Sequence, residues 1–122
     1  MVKGDIFLAD LAYGKVGEAK AIEIFEGPAE VKTERDIWAT TGNIAIEVKY
    51  KGKPSGLSTT EAKWWIHLLF FDMEFKGGLI FPVEQLRARV RYLFDQGIAK
   101  KEMGGDDNQS EMLLVPLRSL FP

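Results

Sequence analysis

A chain of 122 residues, 46% of them hydrophobic, is sized and composed for one packed domain rather than a disordered segment. It has no cysteine, which excludes zinc-thiolate sites, a disulfide framework and cysteine catalysis, and fits a reducing cytoplasm. Sixteen basic residues against 18 acidic ones leave a net charge of -2, less positive than a dedicated non-specific nucleic-acid binder carries.

No long apolar stretch follows Met1-Val2-Lys3-Gly4-Asp5, so no signal peptide is expected. Phe7, Leu11, Gly14, Glu18, Ile22 and Phe25 recur at helical spacing and predict an amphipathic helix that Gly27-Pro28 ends. Ala29 to Glu34 reads as a short strand. Arg35 to Gly42 is a connection closing on the turn residues Thr41-Gly42-Asn43. Asn43 to Tyr50 alternates and predicts a second strand, paired with the first as an antiparallel hairpin. Lys51 to Leu57 is a loop. Ser58 and Glu61 have capping-box spacing, which predicts a short helix from about Thr59. Trp65 to Phe71 and Gly78 to Phe81 read as strands. The run from Trp64 to Phe71 is too short to span a membrane. Pro82 opens a helix over Val83 to Gln96 that Gly97 stops. Ile98 to Met103 and Met112 to Leu117 form a last hairpin around Gly104 to Ser110. The sum is a single mixed α/β domain over residues 1–122.

The chemistry lies in two Glu-x-Lys steps. Side chains alternate across a strand, so Glu30, Lys32 and Glu34 share one face, and Glu47 and Lys49 share another. A hairpin with its charged sides together gathers Glu30, Lys32, Glu47 and Lys49. Glu47 sits amid Ile44, Ala45, Ile46 and Val48, where a carboxylate needs a partner or a metal. Glu18 lies on the apolar stripe of the first helix, flanked by Gly14 and Gly17. Three carboxylates, Glu18, Glu30 and Glu47, with Lys32 or Lys49 suit Mg2+ (or Mn2+) and hydrolysis of a phosphodiester. Each Glu-x-Lys step alone is also an ordinary cross-strand pair.

Glu30-Val31-Lys32-Thr33, Thr41-Gly42-Asn43-Ile44-Ala45-Ile46-Glu47 and Gly52-Lys53-Pro54-Ser55-Gly56 resemble a family of small phage and bacterial proteins of the PD-(D/E)XK nuclease superfamily. The resemblance continues through Thr60-Glu61-Ala62-Lys63-Trp64-Trp65 and through Gly104-Gly105-Asp106-Asp107-Asn108 with Leu114-Val115-Pro116. It implies a restriction-endonuclease-like core of helix, strand hairpin, second helix and further strands. It also implies Mg2+-dependent cleavage of duplex or branched DNA by a homodimer, as in Holliday-junction resolvases, with Glu18 as the helix carboxylate. No Asp lies between Glu18 and Glu30, so two mappings stay open. Glu30 is the upstream acid and Glu47 with Lys49 the motif, or Glu30 with Lys32 is the motif and Glu47 an extra ligand.

Lys51, Lys53, Ser55, Lys100 and Lys101 are the candidate phosphate contacts. His67 is read as a satisfied core histidine, and Trp64 and Trp65 as core. Arg87 and Arg91 share a helix face, with Arg89 pointing elsewhere. Trp38, in the connection, either stacks on a base or covers the core edge.

Overall fold

The computed structural model describes residues 3–122, with side chains from residue 9 onward. Helix α1 spans Lys3–Glu26, strand β1 Ala29–Arg35, the short helix α2 Ile37–Thr41, and β2 Asn43–Tyr50. Then come β3 (Lys53–Pro54), β4 (Trp64–Phe71), β5 (Glu74–Pro82), α3 (Val83–Asp95), β6 (Lys100–Gly104) and β7 (Ser110–Pro116). The chain is a mixed α/β fold, with β1-β4-β5 in one sheet and β3-β2-β7-β6 in the other. Among the described residues no helix is long and apolar enough to cross a membrane.

The expected antiparallel hairpin of β1 and β2 does not form. β1 pairs in parallel with β4, Lys32 opposite His67, while β2 pairs along its length with β7. The alternation marked both strands correctly but carried no information about partners. A parallel pair needs a long crossover, and here it is the stretch from Asp36 to Lys63. β4 and β5 form a true hairpin, turned by Asp72 and Met73 at φ 50° and 67°, the left-handed pair that a two-residue turn requires.

One buried cluster joins the sheets through α3. Leu86, Val90 and Leu93, at helical spacing, meet Ile44 and Ile46 of β2, Val115 of β7 and Trp65 of β4. Arg87 and Arg89, on the flanks of α3, act as backbone clamps. Arg87 donates to the carbonyls of Leu57 (2.8 Å) and Thr60 (2.6 Å), and Arg89 to that of Ser119 (2.8 Å). The helix expected from Thr59 is absent. Gly56–Ser58 makes one 3-10 turn, and the next residues run on toward β4 with Thr60 held by Arg87. Trp38, within α2, donates its indole N–H to the Phe70 carbonyl at 2.7 Å and covers the end of β4.

α1 departs from the expected core helix. Its described side chains are exposed except for half-buried Glu23 and Ile24. Glu23 pairs with Lys63 at 2.6 Å, and Lys20 lies over the Trp64 ring. Gly27 passes so close to Trp64 that an added Cβ would sit 2.9 Å from the indole nitrogen. The stripe of Leu11, Glu18, Ile22 and Phe25 is on the opposite side of the helix and is exposed. Phe7, its first expected member, lies outside the described side chains.

Candidate functional site

The inner face of β1 carries Glu30, Lys32 and Glu34, each half-buried, while Val31, Thr33 and Arg35 are exposed on the other face. Paired residues of a parallel ladder point the same way, so His67 and Trp65 of β4 join the charged face. His67 is only 1% exposed. Its Nδ1 accepts the Trp65 indole N–H at 3.1 Å, and because an indole only donates, the ring proton belongs on Nε2. Nε2 then donates to Glu34 Oε1 at 3.0 Å. The lone histidine is thus a satisfied core residue, as its apolar strand predicts.

Glu34 reaches further. The same Oε1 accepts the backbone N–H of Ala45 at 2.6 Å. Residues 43–47 of β2 have no strand on that side, because β3 pairs only at Lys49 and Tyr50. One carboxylate therefore ties the first sheet to the open edge of the second. Among the described residues both its bonds fall on Oε1 and none on Oε2.

Glu47 shares its face of β2 with Ala45 and stands two residues on, about 7 Å along the strand. It is half-buried. Ser110 donates to its Oε1 at 2.6 Å and Ser55 to its Oε2 at 3.0 Å. Gly56, at φ 54°, lies directly against the Glu47 backbone, which lets Ser55 approach.

Lys49 does not share the Glu47 face as expected. Pairing passes from Glu47 opposite Met112 to Lys49 opposite Glu111, two residues of β2 against one of β7. Such a bulge breaks alternation. The Lys49 ammonium lies 4.0 Å from Glu111, which Lys101 also approaches at 3.5 Å. These three groups line a cleft of about 860 Å³ with Arg87 and Arg91 of α3. Lys32 stays on the charged face, 4.0 Å from Glu30 and over the Trp65 ring.

The expected convergence of Glu18, Glu30 and Glu47 is not seen. Glu18 is exposed on α1, and Glu30 is four residues from Glu34, about 13 Å along β1. Among the described residues no three acidic or histidine side chains group closely enough to hold an ion between them. Of the candidate phosphate contacts, Ser55 is bound to Glu47 and Lys101 to Glu111, while Lys51, Lys53 and Lys100 are exposed. The β2–β3 and β6–β7 turns meet: the Lys51 N–H donates to the Gln109 carbonyl at 3.0 Å, and the Tyr50 hydroxyl donates to Asp107. That bond holds Asp107 below the usual carboxylate range and raises the Tyr50 phenol.

Glu34 is the site residue that the sequence leaves unmarked. Its signal is a third charge on the Glu30 and Lys32 face. Comparison with protein-family models, with curated proteins and with solved structures finds no match.

Proposed function

We propose that this chain is a divalent-metal-dependent endonuclease with a restriction-endonuclease-like core. It hydrolyses phosphodiester bonds of duplex or branched DNA, in the cytoplasm and as a homodimer. One observation carries the reading: the Glu34 carboxylate is drawn to the open edge of β2 at Ala45, two residues from the half-buried Glu47. Mg2+ (or Mn2+) takes oxygen donors, keeps several waters and needs only one or two protein carboxylates beside a substrate phosphate. Glu34, bound at Ala45 through Oε1, and Glu47, two residues further along β2, are the two carboxylates this reading assigns to the ion. When bound, the ion supplies positive charge at the phosphate and a lower pKa for the attacking water. Lys32, two residues before Glu34 on the same face, neutralises charge that builds on the phosphate, and Glu30 steadies its ammonium. This reading gives the working role to Lys32 rather than Lys49, which lies on the Glu111 side of β2.

The test is nicking of supercoiled plasmid and of a four-way junction with Mg2+ or Mn2+. Cleavage is expected to vanish in Glu47→Ala and Glu34→Gln, to fall at least about a hundredfold in Lys32→Ala, and to persist in Lys49→Ala. Unchanged cleavage by Glu47→Ala would sink the assignment.

A second reading is favoured by the two serine hydroxyls on Glu47, the bonding of a structural tie. The fold then binds nucleic acid or a protein without cutting. Calorimetry with Mn2+ separates the two, since only the nuclease reading expects saturable heat that Glu47→Ala removes.

A further inference from the structure

β1 is inverted relative to an ordinary half-buried strand. Glu30, Lys32 and Glu34 face the core, and Ala29, Val31 and Thr33 face out with Arg35. That outer face continues across the sheet. Val31, Ile66 and Ile80 form one rung over three strands, with Val31 53% and Ile80 45% exposed. Within Ala29–Arg35, 64–70 and 78–82, the outward positions carry a single charge, Arg35. Among the described residues α1 meets this face at its end, where Lys20 and Gly27 lie against Trp64.

The same chain carries an uncovered helix. The α1 stripe of Leu11, Ile22 and Phe25 is exposed, Phe25 by 84%, and its only charge is Glu18. α1 cannot turn this stripe onto its own sheet while Glu23 holds Lys63 and Lys20 covers Trp64, because those contacts use the opposite side of the helix. The two faces match in size and charge. From Phe25 to Glu18 is about 10 Å along a helix. From Val31 to Arg35 is about 13 Å along a strand. Neither Glu18 nor Arg35 has an ion-pair partner among the described residues.

We propose that a second copy of this chain covers both faces, the α1 stripe of each copy lying across the outer face of the partner's β1-β4-β5 sheet with Glu18 against the partner's Arg35. A two-fold arrangement closes both contacts at once. The described stripe from Leu11 to Phe25 and the outward positions of β1, β4 and β5 put roughly 16 residues on each side, a little under the count of an ordinary stable interface. Pairing of α1 with α1 alone would leave both sheets bare. The inference rests on the homodimer proposed above, but its contacts use none of the carboxylates proposed for cleavage, so a mass measurement and a nicking assay fail separately.

The test uses the absence of native cysteine. Ile22→Cys and Ile80→Cys proteins, one of them tagged, are mixed and treated with a short bismaleimide, and mass is measured by light scattering. The expected result is a two-chain mass and a crosslink between Ile22→Cys of one chain and Ile80→Cys of the other. Glu18→Arg or Arg35→Glu alone should weaken the dimer about tenfold or more, and the two combined in one chain should restore it. A one-chain mass, a crosslink only between two Ile22→Cys chains, or charge reversals that do not rescue each other would each overturn the proposal. An Ile22→Cys/Ile80→Cys double variant that crosslinks within one chain at monomer mass would show instead that α1 folds back on its own sheet.

Discussion

Replacing His67 with Leu tests whether the buried relay holds the two sheets together. The imidazole is 1% exposed and has two partners, the Trp65 indole N–H on one nitrogen and Glu34 on the other. Leucine fills much of the volume and answers neither. An orphaned buried N–H costs about 1–3 kcal/mol, and a lost bond to a carboxylate about 1.5–3 kcal/mol. Glu34 keeps its bond to Ala45, so the lower half applies on that side and the sum is about 2.5–5 kcal/mol. A domain of this size has about 5–15 kcal/mol in all. His67→Gln offers an acceptor to the indole and a donor to Glu34, and should cost about 1 kcal/mol. Urea unfolding, followed by far-UV circular dichroism and tryptophan emission, reads both values. Glu34→Gln combined with His67→Leu should cost less than the sum of the two singles, because both remove the same bond. A His67→Leu variant within about 0.5 kcal/mol of the parent would refute the relay as a structural link.

Other outcomes follow from named contacts. Gly56→Ala places a Cβ against the Glu47 backbone at φ 54° and should cost at least about 2 kcal/mol. Gly52→Ala, at φ 78° with open space around it, should cost only about 1 kcal/mol by the same melt, so equal losses would mean the contact is not tight. Arg87→Ala frees the carbonyls of Leu57 and Thr60 and should speed proteolytic nicking within 56–63. The bond from Lys63, then that from Lys20, holds Glu23 below the usual carboxylate range. A depressed folded pKa adds stability above the unfolded value and loses it as pH falls through the folded one. Hydrogen exchange at the Trp64 indole should therefore rise in acid, below the usual carboxylate range. Glu23→Gln should flatten that dependence.

Strand extents are legible where alternation is strict, because alternation is local; β5, read as Gly78 to Phe81, runs Glu74–Pro82, and β3 falls in a stretch read as a loop. Asn43–Tyr50 and the helix after Pro82 come straight from the pattern. Partners were not legible. β1 meets β4 across 35 residues of sequence (Ala29 to Trp64), and nothing in Glu30-Val31-Lys32 distinguishes that pairing from a hairpin with β2. Lys49 was misplaced for a related reason. A bulge after Glu47 shifts every later side chain, and only the opposing strand reveals it. The Ser58 and Glu61 spacing suggested a helix, but the Arg87 clamp on Thr60, 27 residues away, helps keep the chain extended. Glu34 was visible only as a charge on a shared face, because its role depends on an open N–H at Ala45 that exists only once β2 is in place.

The inversion of β1 links the two proposals. A strand with Glu30, Lys32 and Glu34 on its core side cannot be held by apolar burial on that side. Burying charge is unfavourable unless each group is answered. Here the answers come from His67, Ala45 and the Glu30–Lys32 pair. The apolar burial that β1 lacks inside is available outside, through Val31 and its rung partners Ile66 and Ile80, once something covers them. A covered outer face would let the inner face keep its carboxylates at the edge of β2. On this account the second copy does more than enlarge the assembly: loss of the dimer through Arg35→Glu should also loosen β1 and with it Glu34. Faster backbone hydrogen exchange along β1 in that variant, with β7 unchanged, is the expected sign. Equal protection in monomer and dimer would separate the interface from the site.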